Sequence, residues 1–142
     1  MTRTVLLLHE TPDGSSHLDW LIASDVSARG DADTRDVLTL RLPREAGTPG
    51  TRHFRATRLP DHRRLYLTHE GEVPGGRGTV TRLAEGQARI VSSGPDEIVI
   101  EVRWELPASA ASGGRRAEYR LVGRRENELW SFDRSDEQYG LQ

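Results

Sequence analysis

The stretch Ile98-Val-Ile-Glu-Val-Arg-Trp-Glu-Leu106 has the most regular hydrophobic pattern in this chain. Apolar residues occupy every second position from Ile98 to Leu106, and the positions between them are charged apart from Val99. Successive side chains of a β-strand point to opposite faces, so this period of two is typical of a strand with one buried face. We therefore expect a strand here, within a run of antiparallel strands that begins near Thr79.

Further short strands are predicted where apolar alternation or a short apolar run lies between turn signals. They are Thr4–Leu8, His17–Ile22, Asp36–Leu42, Tyr66–Glu70, Gly78–Leu83, Gln87–Val91, Ala117–Val122 and Glu128–Asp133. Glu85-Gly86 is expected to form a short hairpin-like connection. The segments expected to be irregular are Ser24–Asp36, Pro43–Gly50, Pro107–Gly114 and the tail beyond Arg134.

About eight to ten short strands, with hardly a helical stretch, predict an all-β protein. The expected architecture is a small closed antiparallel β-barrel with at most one short helix. With 142 residues the chain is long enough for one core, and a single domain spanning 1–142 is predicted. Aromatic side chains in the alternating strands are interpreted as core anchors rather than base-stacking platforms: Trp20, Trp104, Trp130 and Phe132.

The composition excludes several kinds of site. All 20 basic residues are arginine, and the formal net charge of −2 gives no overall basic excess of the kind that indicates a nucleic-acid binder. The absence of cysteine excludes disulfides, thiolate zinc sites and cysteine nucleophiles. The apolar run Val5–Leu8 is too short for a signal sequence or a membrane span, so we predict a cytoplasmic protein without membrane contacts. We also expect a monomer.

The segment His9-Glu-Thr-Pro-Asp-Gly-Ser-Ser-His17-Leu-Asp19 holds two imidazoles and a carboxylate close together. Pro12–Ser16 is typical of a turn and lies between two predicted strands, so a hairpin places His9 at the end of one strand and His17 at the start of the next. His17 and Asp19 then share one face of their strand, because side chains two residues apart point the same way.

These three groups can converge on a metal ion. Imidazole and carboxylate without thiolate suit Mn, Fe, Zn or Ni, and three protein ligands leave positions open for water or substrate. The competing interpretation is that His9 and His17 are surface turn histidines and Asp19 is a solvated strand residue. His53 and His69 are left out of the predicted site.

Two later segments also carry a pattern. The spacing His62-x-x-x-Tyr66 predicts that both side chains share one face of a helical turn. Gly71-Glu-Val-Pro-Gly-Gly-Arg-Gly78 is a glycine-rich loop that lets backbone approach closely whatever it faces. It lacks the Lys-Ser/Thr ending of a phosphate-binding P-loop, so it is interpreted either as a functional loop or as a tight sheet connection.

The order of these motifs resembles the 3′-phosphoesterase domain that forms the N-terminal part of bacterial DNA ligase D-type end-joining proteins. The matching segments are His9 to Asp19, Pro60-Asp-His62-x-x-x-Tyr66, Glu70–Val80, Tyr119–Arg124 and Glu128–Phe132. The resemblance covers the chain from about Val5 to Arg134. It implies a small β-barrel with a crescent-shaped groove that trims 3′ ends, removing a terminal ribonucleoside and then a 3′-phosphate.

Position by position, the resemblance implies that His9, His17 and Asp19 are metal ligands. It also implies that His62 and Tyr66 act on the phosphate side of the site. The implied cofactor is a divalent metal, with Mn preferred and Zn or others as alternatives. The implied partners are nucleic-acid 3′ ends, with a ligase or polymerase acting in trans.

The chain departs from the family pattern at two places. His9 and His17 are eight residues apart, which makes the loop between them two residues longer than in the family. Leu21 stands where the family has an active-site arginine, at a position that shares the strand face of Asp19. Candidate replacements from other parts of the chain are Arg52, Arg55, Arg58 and Arg77.

Three functions follow from these features. The first is a stand-alone metal-dependent 3′-end phosphoesterase. The second is a non-catalytic descendant that keeps the barrel and binds nucleic-acid ends or a repair partner, and Leu21 is the feature that supports it. The third is a small Fe(II) oxygenase, in which His17 and Asp19 are joined by His62 or His69 in a two-histidine, one-carboxylate triad. The chain is short for that class, and His9 would have no role in it.

Overall fold

The computed structural model describes residues 1–24, 31–105 and 116–135. Its nine strands are β1 (Thr2–Glu10), β2 (Ser16–Ile22), β3 (Arg35–Pro43), β4 (Phe54–Arg63), β5 (Gly71–Glu72), β6 (Thr79–Ser93), β7 (Glu97–Glu105), β8 (Arg116–Glu126) and β9 (Leu129–Arg134). Two short 3₁₀ turns, Arg44–Ala46 and Arg64–Leu67, accompany them, and the described ranges contain no α-helix. Leu106, the predicted loop Pro107–Gly114, the middle of the loop Ser24–Asp36 and most of the tail beyond Arg134 lie outside the described residues.

All nine strands belong to one antiparallel sheet that closes on itself. Neighbouring strands follow the order β1-β2-β3-β4-β9-β8-β7-β6, and β6 returns to pair with β1. The result is an eight-stranded barrel with β5 added beside β6. Closure gives every barrel strand two hydrogen-bonded neighbours, so no long strand edge is left exposed. The prediction of an all-β closed antiparallel barrel is confirmed.

The barrel interior holds the main hydrophobic core, and β7 shows how it is built. Ile98, Ile100, Val102 and Trp104 are almost completely buried, as their alternation predicts. The indole nitrogen of Trp104 donates to the carbonyl oxygen of Pro49 at 2.9 Å, so burial of the ring leaves no hydrogen-bond donor of this side chain unpaired. The predicted aromatic anchors are all buried in this core: Trp20, Trp104, Trp130 and Phe132.

A second, smaller cluster lies on the outer face of β1, β2 and β3. Its members are Val5, Leu7, Leu21, Ala23, Val37, Leu67, Val73 and Val80. We call this group the outer cluster. Val37 interrupts the alternation of β3 in the sequence, and it does so because it is fully buried on this second face. The first three strands are therefore apolar on both sides over part of their length.

The predicted hairpin at Glu85-Gly86 is wrong, because β6 is one continuous strand through both residues. They pair with β1 on one side, and Gly86 pairs with Trp104 of β7 on the other. A Cβ atom on Gly86 would lie 2.1 Å from the carbonyl oxygen of Arg103. Glycine is needed here because two strands approach closely, and the residue does not mark a turn.

Strand β6 contains a bulge at Leu83. Leu6 of β1 pairs with Ala84 of β6, and Leu7 pairs with Arg82. Leu83 is therefore an extra residue in β6 that is not paired with β1. The extra residue shifts the alternation of side chains by one position. Ala84 consequently packs against the barrel core, whereas Val80 packs in the outer cluster.

The segment after β4 is a 3₁₀ turn over Arg64–Leu67, so the predicted strand over Tyr66–Glu70 is wrong. The backbone N–H of Arg64 donates to the carbonyl oxygen of Thr34 at 3.0 Å, which ties the turn to the chain preceding β3. This tie carries the segment across the outer face of the sheet, where Leu67 joins the outer cluster. None of the described residues forms a helix long and apolar enough to cross a membrane.

Candidate metal centre

The predicted N-terminal hairpin is present, and its register brings two histidines face to face. His9 near the end of β1 pairs directly with His17 near the start of β2. Nδ1 of His9 lies 3.2 Å from Nε2 of His17, and the two rings meet edge to face with centroids 4.8 Å apart. Directly paired residues have neighbouring side chains, so the strand register alone accounts for this contact.

Asp19 completes the group from two residues further along β2. Its Oδ2 lies 3.6 Å from Nδ1 of His9 and 3.5 Å from Nε2 of His17. Burial by itself raises the pKa of Asp19, but hydrogen bonds from His17 and His9 and the charge of Arg41 hold that pKa well below its usual range. Asp19 is therefore a carboxylate at neutral pH, and the interpretation as a solvated strand residue is wrong because the residue is buried.

The ring of His9 is held from its far side. Its Nε2 lies 2.8 Å from the carbonyl oxygen of Arg77. A carbonyl oxygen can only accept, so Nε2 carries the proton and donates, and in the neutral ring Nδ1 keeps its lone pair. The hydrogen bond to Asp19 raises the pKa of His9, burial opposes this, and the bond to Arg77 adds to it. Nδ1 is thus the atom presented to His17 and Asp19.

The three donor atoms fit a divalent ion. They form a nearly equilateral triangle with separations of 3.2, 3.5 and 3.6 Å, and the ligand atoms around a tetrahedral ion with bonds of about 2.0–2.1 Å are separated by about 3.3–3.4 Å. Two imidazoles and one carboxylate suit Zn, Mn, Fe or Ni. Within the described ranges, His9, His17 and Asp19 are the one group of three or more such residues close enough to share an ion. The third donor is therefore His9, and not His62 or His69 as the oxygenase hypothesis requires.

The loop between the two histidines is closed by its own hydrogen bonds. The carboxylate of Asp13 accepts from the Thr11 hydroxyl at 2.6 Å and from the backbone N–H and hydroxyl of Ser15 at 2.9 and 2.7 Å. These bonds lower the pKa of Asp13 to about 2. The pairing of β1 with β2 continues past His9 and His17 to Glu10 and Ser16, so the turn is confined to residues 11–15.

Arg41 is a site residue that the sequence analysis missed. It lies on β3 directly opposite Asp19, and its Nε donates to Oδ1 of Asp19 at 3.3 Å. The alternation of Leu38, Leu40 and Leu42 fixes the inner face of β3 and thereby puts Arg41 on the outer face. That signal was present in the sequence, but only the pairing of β2 with β3 shows that Arg41 meets Asp19.

A pocket of about 210 Å³ lies beside the metal triangle on the outer face of the barrel. Its floor is apolar and comes from the outer cluster. Its polar lining combines two residues of the triangle with two arginines, a histidine near the end of β4 and a tyrosine in the 3₁₀ turn after it. The lining residues are Leu7, Leu21, Val73, Val80, His9, Asp19, Arg41, Arg77, His62 and Tyr66.

His62 and Tyr66 both line this pocket, with ring centroids 6.0 Å apart. The predicted helical turn that joins them is not formed, because His62 lies in β4 and Tyr66 in the following 3₁₀ turn. His62 donates from Nδ1 to the carbonyl oxygen of Pro60 at 3.0 Å, which leaves Nε2 as an acceptor in the neutral ring. The Tyr66 oxygen accepts from Arg63 at 3.3 Å, so its own proton is available to a second partner.

The remaining predicted residues fall into two groups. Among the four candidate arginines, Arg77 lines the pocket, whereas Arg52, Arg55 and Arg58 are absent from its lining. Leu21 shares the outer face with Asp19 as predicted, and it is fully buried in the outer cluster.

The two histidines left out of the site have other partners. His53 contacts Asp133 at 2.8 Å, and His69 donates to the carbonyl oxygen of Glu72 at 2.6 Å. Neither belongs to the metal triangle.

The comparisons with known proteins add no relative. No protein-family model and no curated protein matches this chain. The likeness to the 3′-phosphoesterase family therefore stays a prediction from the motifs.

Proposed function

We propose that this chain is a metal-dependent phosphoesterase that processes the 3′ ends of nucleic acids. The observation that carries the proposal is that metal-ligand chemistry and phosphate-binding chemistry share one pocket. His9 and Asp19 line it together with two arginines, a histidine and a tyrosine. The order of the same residues along the chain resembles the 3′-phosphoesterase family.

In this proposal His9, His17 and Asp19 hold the metal, for which Mn is preferred. A divalent ion supplies a positive charge for a phosphate oxygen and increases the acidity of water. The protein must keep all three donors deprotonated. Asp19 meets this requirement through its lowered pKa. His9 meets it at a pH above its raised pKa, where the bond to Arg77 leaves Nδ1 without a proton.

Arg41 and Arg77 supply positive charge on two sides of the pocket. Guanidinium groups remain charged at all physiological pH values and match the geometry of phosphate oxygens. Arg41 is about 39% exposed at its side chain and uses Nε for Asp19, so its terminal nitrogens are available for a ligand. In this proposal Arg41 takes the role of the family arginine that Leu21 replaces, and it reaches the site from the neighbouring strand.

His62 and Tyr66 act on the phosphate in complementary ways. With its Nδ1 bonded to Pro60, neutral His62 can accept a proton at Nε2 from an attacking water, and once protonated it can return that proton to a leaving oxygen. Tyr66 accepts a hydrogen bond from Arg63 and can donate its own proton to a phosphate oxygen. In this proposal His62 thus handles the proton that passes from the water to the leaving oxygen, and Tyr66 stabilises the phosphate by a hydrogen bond.

The size of the pocket agrees with a terminal phosphate as the group bound. Its volume of about 210 Å³ is smaller than the roughly 300–1,000 Å³ of pockets that enclose a drug-sized molecule. A phosphate and part of its sugar fit this space, with the sugar against the apolar floor. In this proposal the trimmed end is then available to a ligase or polymerase acting in trans.

The second candidate function is a non-catalytic module that binds phosphorylated nucleic-acid ends. Leu21 favours it, because an apolar side chain fills the position of an active-site arginine. The ion pair with Asp19 also keeps Arg41 partly occupied. In that case the pocket holds a terminal phosphate without turning it over.

The experiment that separates the two uses duplexes that carry a 3′-ribonucleotide, a 3′-phosphate or a 5′-phosphate end. With Mn, the phosphoesterase shortens the first and dephosphorylates the second, and it leaves the 5′-phosphate intact. The variant His62→Ala is the control, and we expect it to lose turnover while keeping Mn affinity. Tight binding of the 3′-phosphate duplex without product supports the binding module, and absence of both binding and product overturns both candidates.

A further inference from the structure

The turn Val73–Gly78, between β5 and β6, touches the metal triangle through the carbonyl oxygen of Arg77, which lies 2.8 Å from Nε2 of His9. We propose that this turn is the positioning element of the metal centre, and that it selects the tautomer of His9 that ligates through Nδ1. The inference rests on the metal-binding part of the proposed function. It assigns a role to the glycine-rich loop that the sequence analysis left open between a functional loop and a sheet connection.

The turn is closed by bonds of its own. The backbone N–H of Val73 donates to the carbonyl oxygen of Gly78 at 2.8 Å, which closes its two ends. Nε of Arg77 donates to the carbonyl oxygen of Pro74 at 2.8 Å and braces the middle. The carbonyl oxygen of Arg77 is therefore held at a fixed place on a compact turn.

The turn also lies tightly against the end of β1. Gly78 has a φ of 100°, and a Cβ atom there would lie only 1.9 Å from the carbonyl oxygen of Glu10. Backbone cannot yield to such an overlap as a flexible side chain can, so any larger residue at 78 must push the turn away from β1. Since His9 precedes Glu10, this movement separates the carbonyl of Arg77 from the His9 ring.

The hydrogen bond to Arg77 decides which nitrogen of His9 is free. With Nε2 donating to a carbonyl, the neutral ring must present its lone pair at Nδ1. Without this bond the ring is free to protonate Nδ1, whose lone pair is then lost to a metal. Partners of this kind typically contribute about 10–100-fold to metal affinity.

Arg77 thereby serves the site through two separate groups. Its main-chain oxygen orients His9, and its side chain lines the pocket where an anion would bind. Substitution of the side chain removes the brace to Pro74 but keeps the main-chain oxygen and the bond from Val73 to Gly78 that closes the turn. Displacement of the turn moves both groups. The two functions can therefore be separated by substitutions at neighbouring positions.

The test compares three variants by Mn calorimetry and by NMR titration with inorganic phosphate. Gly78→Ala should weaken Mn binding by about 10–100-fold. Arg77→Ala should weaken phosphate binding by about tenfold, the loss of one charge-assisted hydrogen bond, and it should weaken Mn binding less than Gly78→Ala does, because the bond from Val73 to Gly78 still closes the turn. Gly76→Ala is the matched control, because Gly76 also has a positive φ of 67° but has no atom within 4 Å of a Cβ.

A measurement on the natural protein covers the case in which Gly78→Ala does not fold. Long-range ¹H–¹⁵N spectra of the metal-free protein, at a pH above the pKa of His9, should show His9 protonated at Nε2. Protonation at Nδ1, or equal loss of Mn affinity in Gly76→Ala and Gly78→Ala, overturns the inference. None of these readouts involves hydrolysis, so a chain that binds Mn as predicted but cleaves no 3′ end refutes the proposed activity and leaves the inference standing.

Discussion

The first three strands of the barrel present two faces of different character. On the inner face, the alternating side chains are mostly apolar and pack in the barrel core, and the buried Thr4 among them accepts a hydrogen bond from the indole nitrogen of Trp20 at 2.8 Å. On the outer face of the same strands, apolar Leu7 and Leu21 alternate along the chain with His9 and Asp19. The inner face therefore contributes stability alone, whereas the outer face combines a small apolar cluster with the candidate site.

This difference shows how the fold separates stability from chemistry. The barrel closes through backbone pairing and its interior core, and neither needs the polar residues of the outer face. The outer face needs a cover of its own, which the 3₁₀ turn after β4 and the turn before β6 provide through Leu67 and Val73. Substitutions on the two faces should therefore change different measurable quantities.

Truncation on the inner face should have the largest effect on folding. Leu40 is completely buried in the barrel core, and Leu40→Ala should lower the free energy of unfolding by about 2–5 kcal/mol. Urea unfolding of the metal-free protein measures this value. Leu83→Ala is the control, because Leu83 is 53% exposed at the bulge and should change stability by no more than about 0.5 kcal/mol. Equal losses from the two variants would contradict the division between faces.

Removal of an outer-face ligand should abolish metal binding without unfolding the barrel. His17→Ala deletes one corner of the donor triangle, so calorimetry should detect no Mn binding. His53→Ala is the matched control, because His53 lies outside the triangle and contacts Asp133. Undiminished Mn affinity in His17→Ala would exclude the assigned site.

Leu21→Arg should lower both the stability of the outer cluster and the activity of the candidate site. Leu21 is fully buried in the outer cluster, and forcing a longer side chain into a packed region costs about 1–3 kcal/mol. Because Arg41 already supplies a guanidinium beside Asp19, the new arginine should crowd the pocket and lower turnover of a 3′-phosphate duplex. A rise in turnover would show that Arg41 does not supply the guanidinium that the proposed activity needs.

The smallest effect is the pH dependence of the outer face. The raised pKa of His9 means that its ion pair with Asp19 stabilises the metal-free protein fully below the ordinary histidine pKa and that this contribution is lost as the pH rises through the raised value. Metal binding has the opposite dependence, because protonated His9 cannot ligate. Mn affinity should fall by up to about tenfold per pH unit as the pH is lowered through that pKa. Calorimetry and thermal unfolding across this range measure the two trends, and His9→Gln should remove both.

The sequence was sufficient for the inner face and for part of the site. Period-two alternation identified β7 and the buried tryptophans because every second residue meets the same core. The hairpin of His9 and His17 was predictable because its turn and both strands are local in sequence. Features that depend on contacts within a few residues, or on one continuous core, were therefore within reach of the sequence.

The remaining features depend on which strands, far apart in the sequence, pair in the sheet. Arg41 is recognisable as an outer-face residue from sequence, but its contact with Asp19 requires the pairing of β2 with β3. A glycine at position 86 is typical of a turn. Only the close approach of β7 shows that glycine is needed there because two paired strands lie too near for a side chain. The carbonyl group of Arg77 carries no sequence signal for its bond to His9, because every residue has such a group.

The bulge at Leu83 makes β6 two segments of opposite phase. Upstream of it, even-numbered residues such as Val80 face the pocket side, and downstream of it even-numbered residues such as Ala88 face the barrel interior. Arg82 and Ala84 pair with the adjacent residues Leu7 and Leu6 of β1, so a chain without Leu83 could keep this pairing with both segments on their present faces. Loss of Leu83 would therefore convert the bulge into a regular ladder that still holds Val80 in the pocket floor and Ala84 in the core, so the bulge sets the local bend and twist of β6 rather than the faces of its side chains.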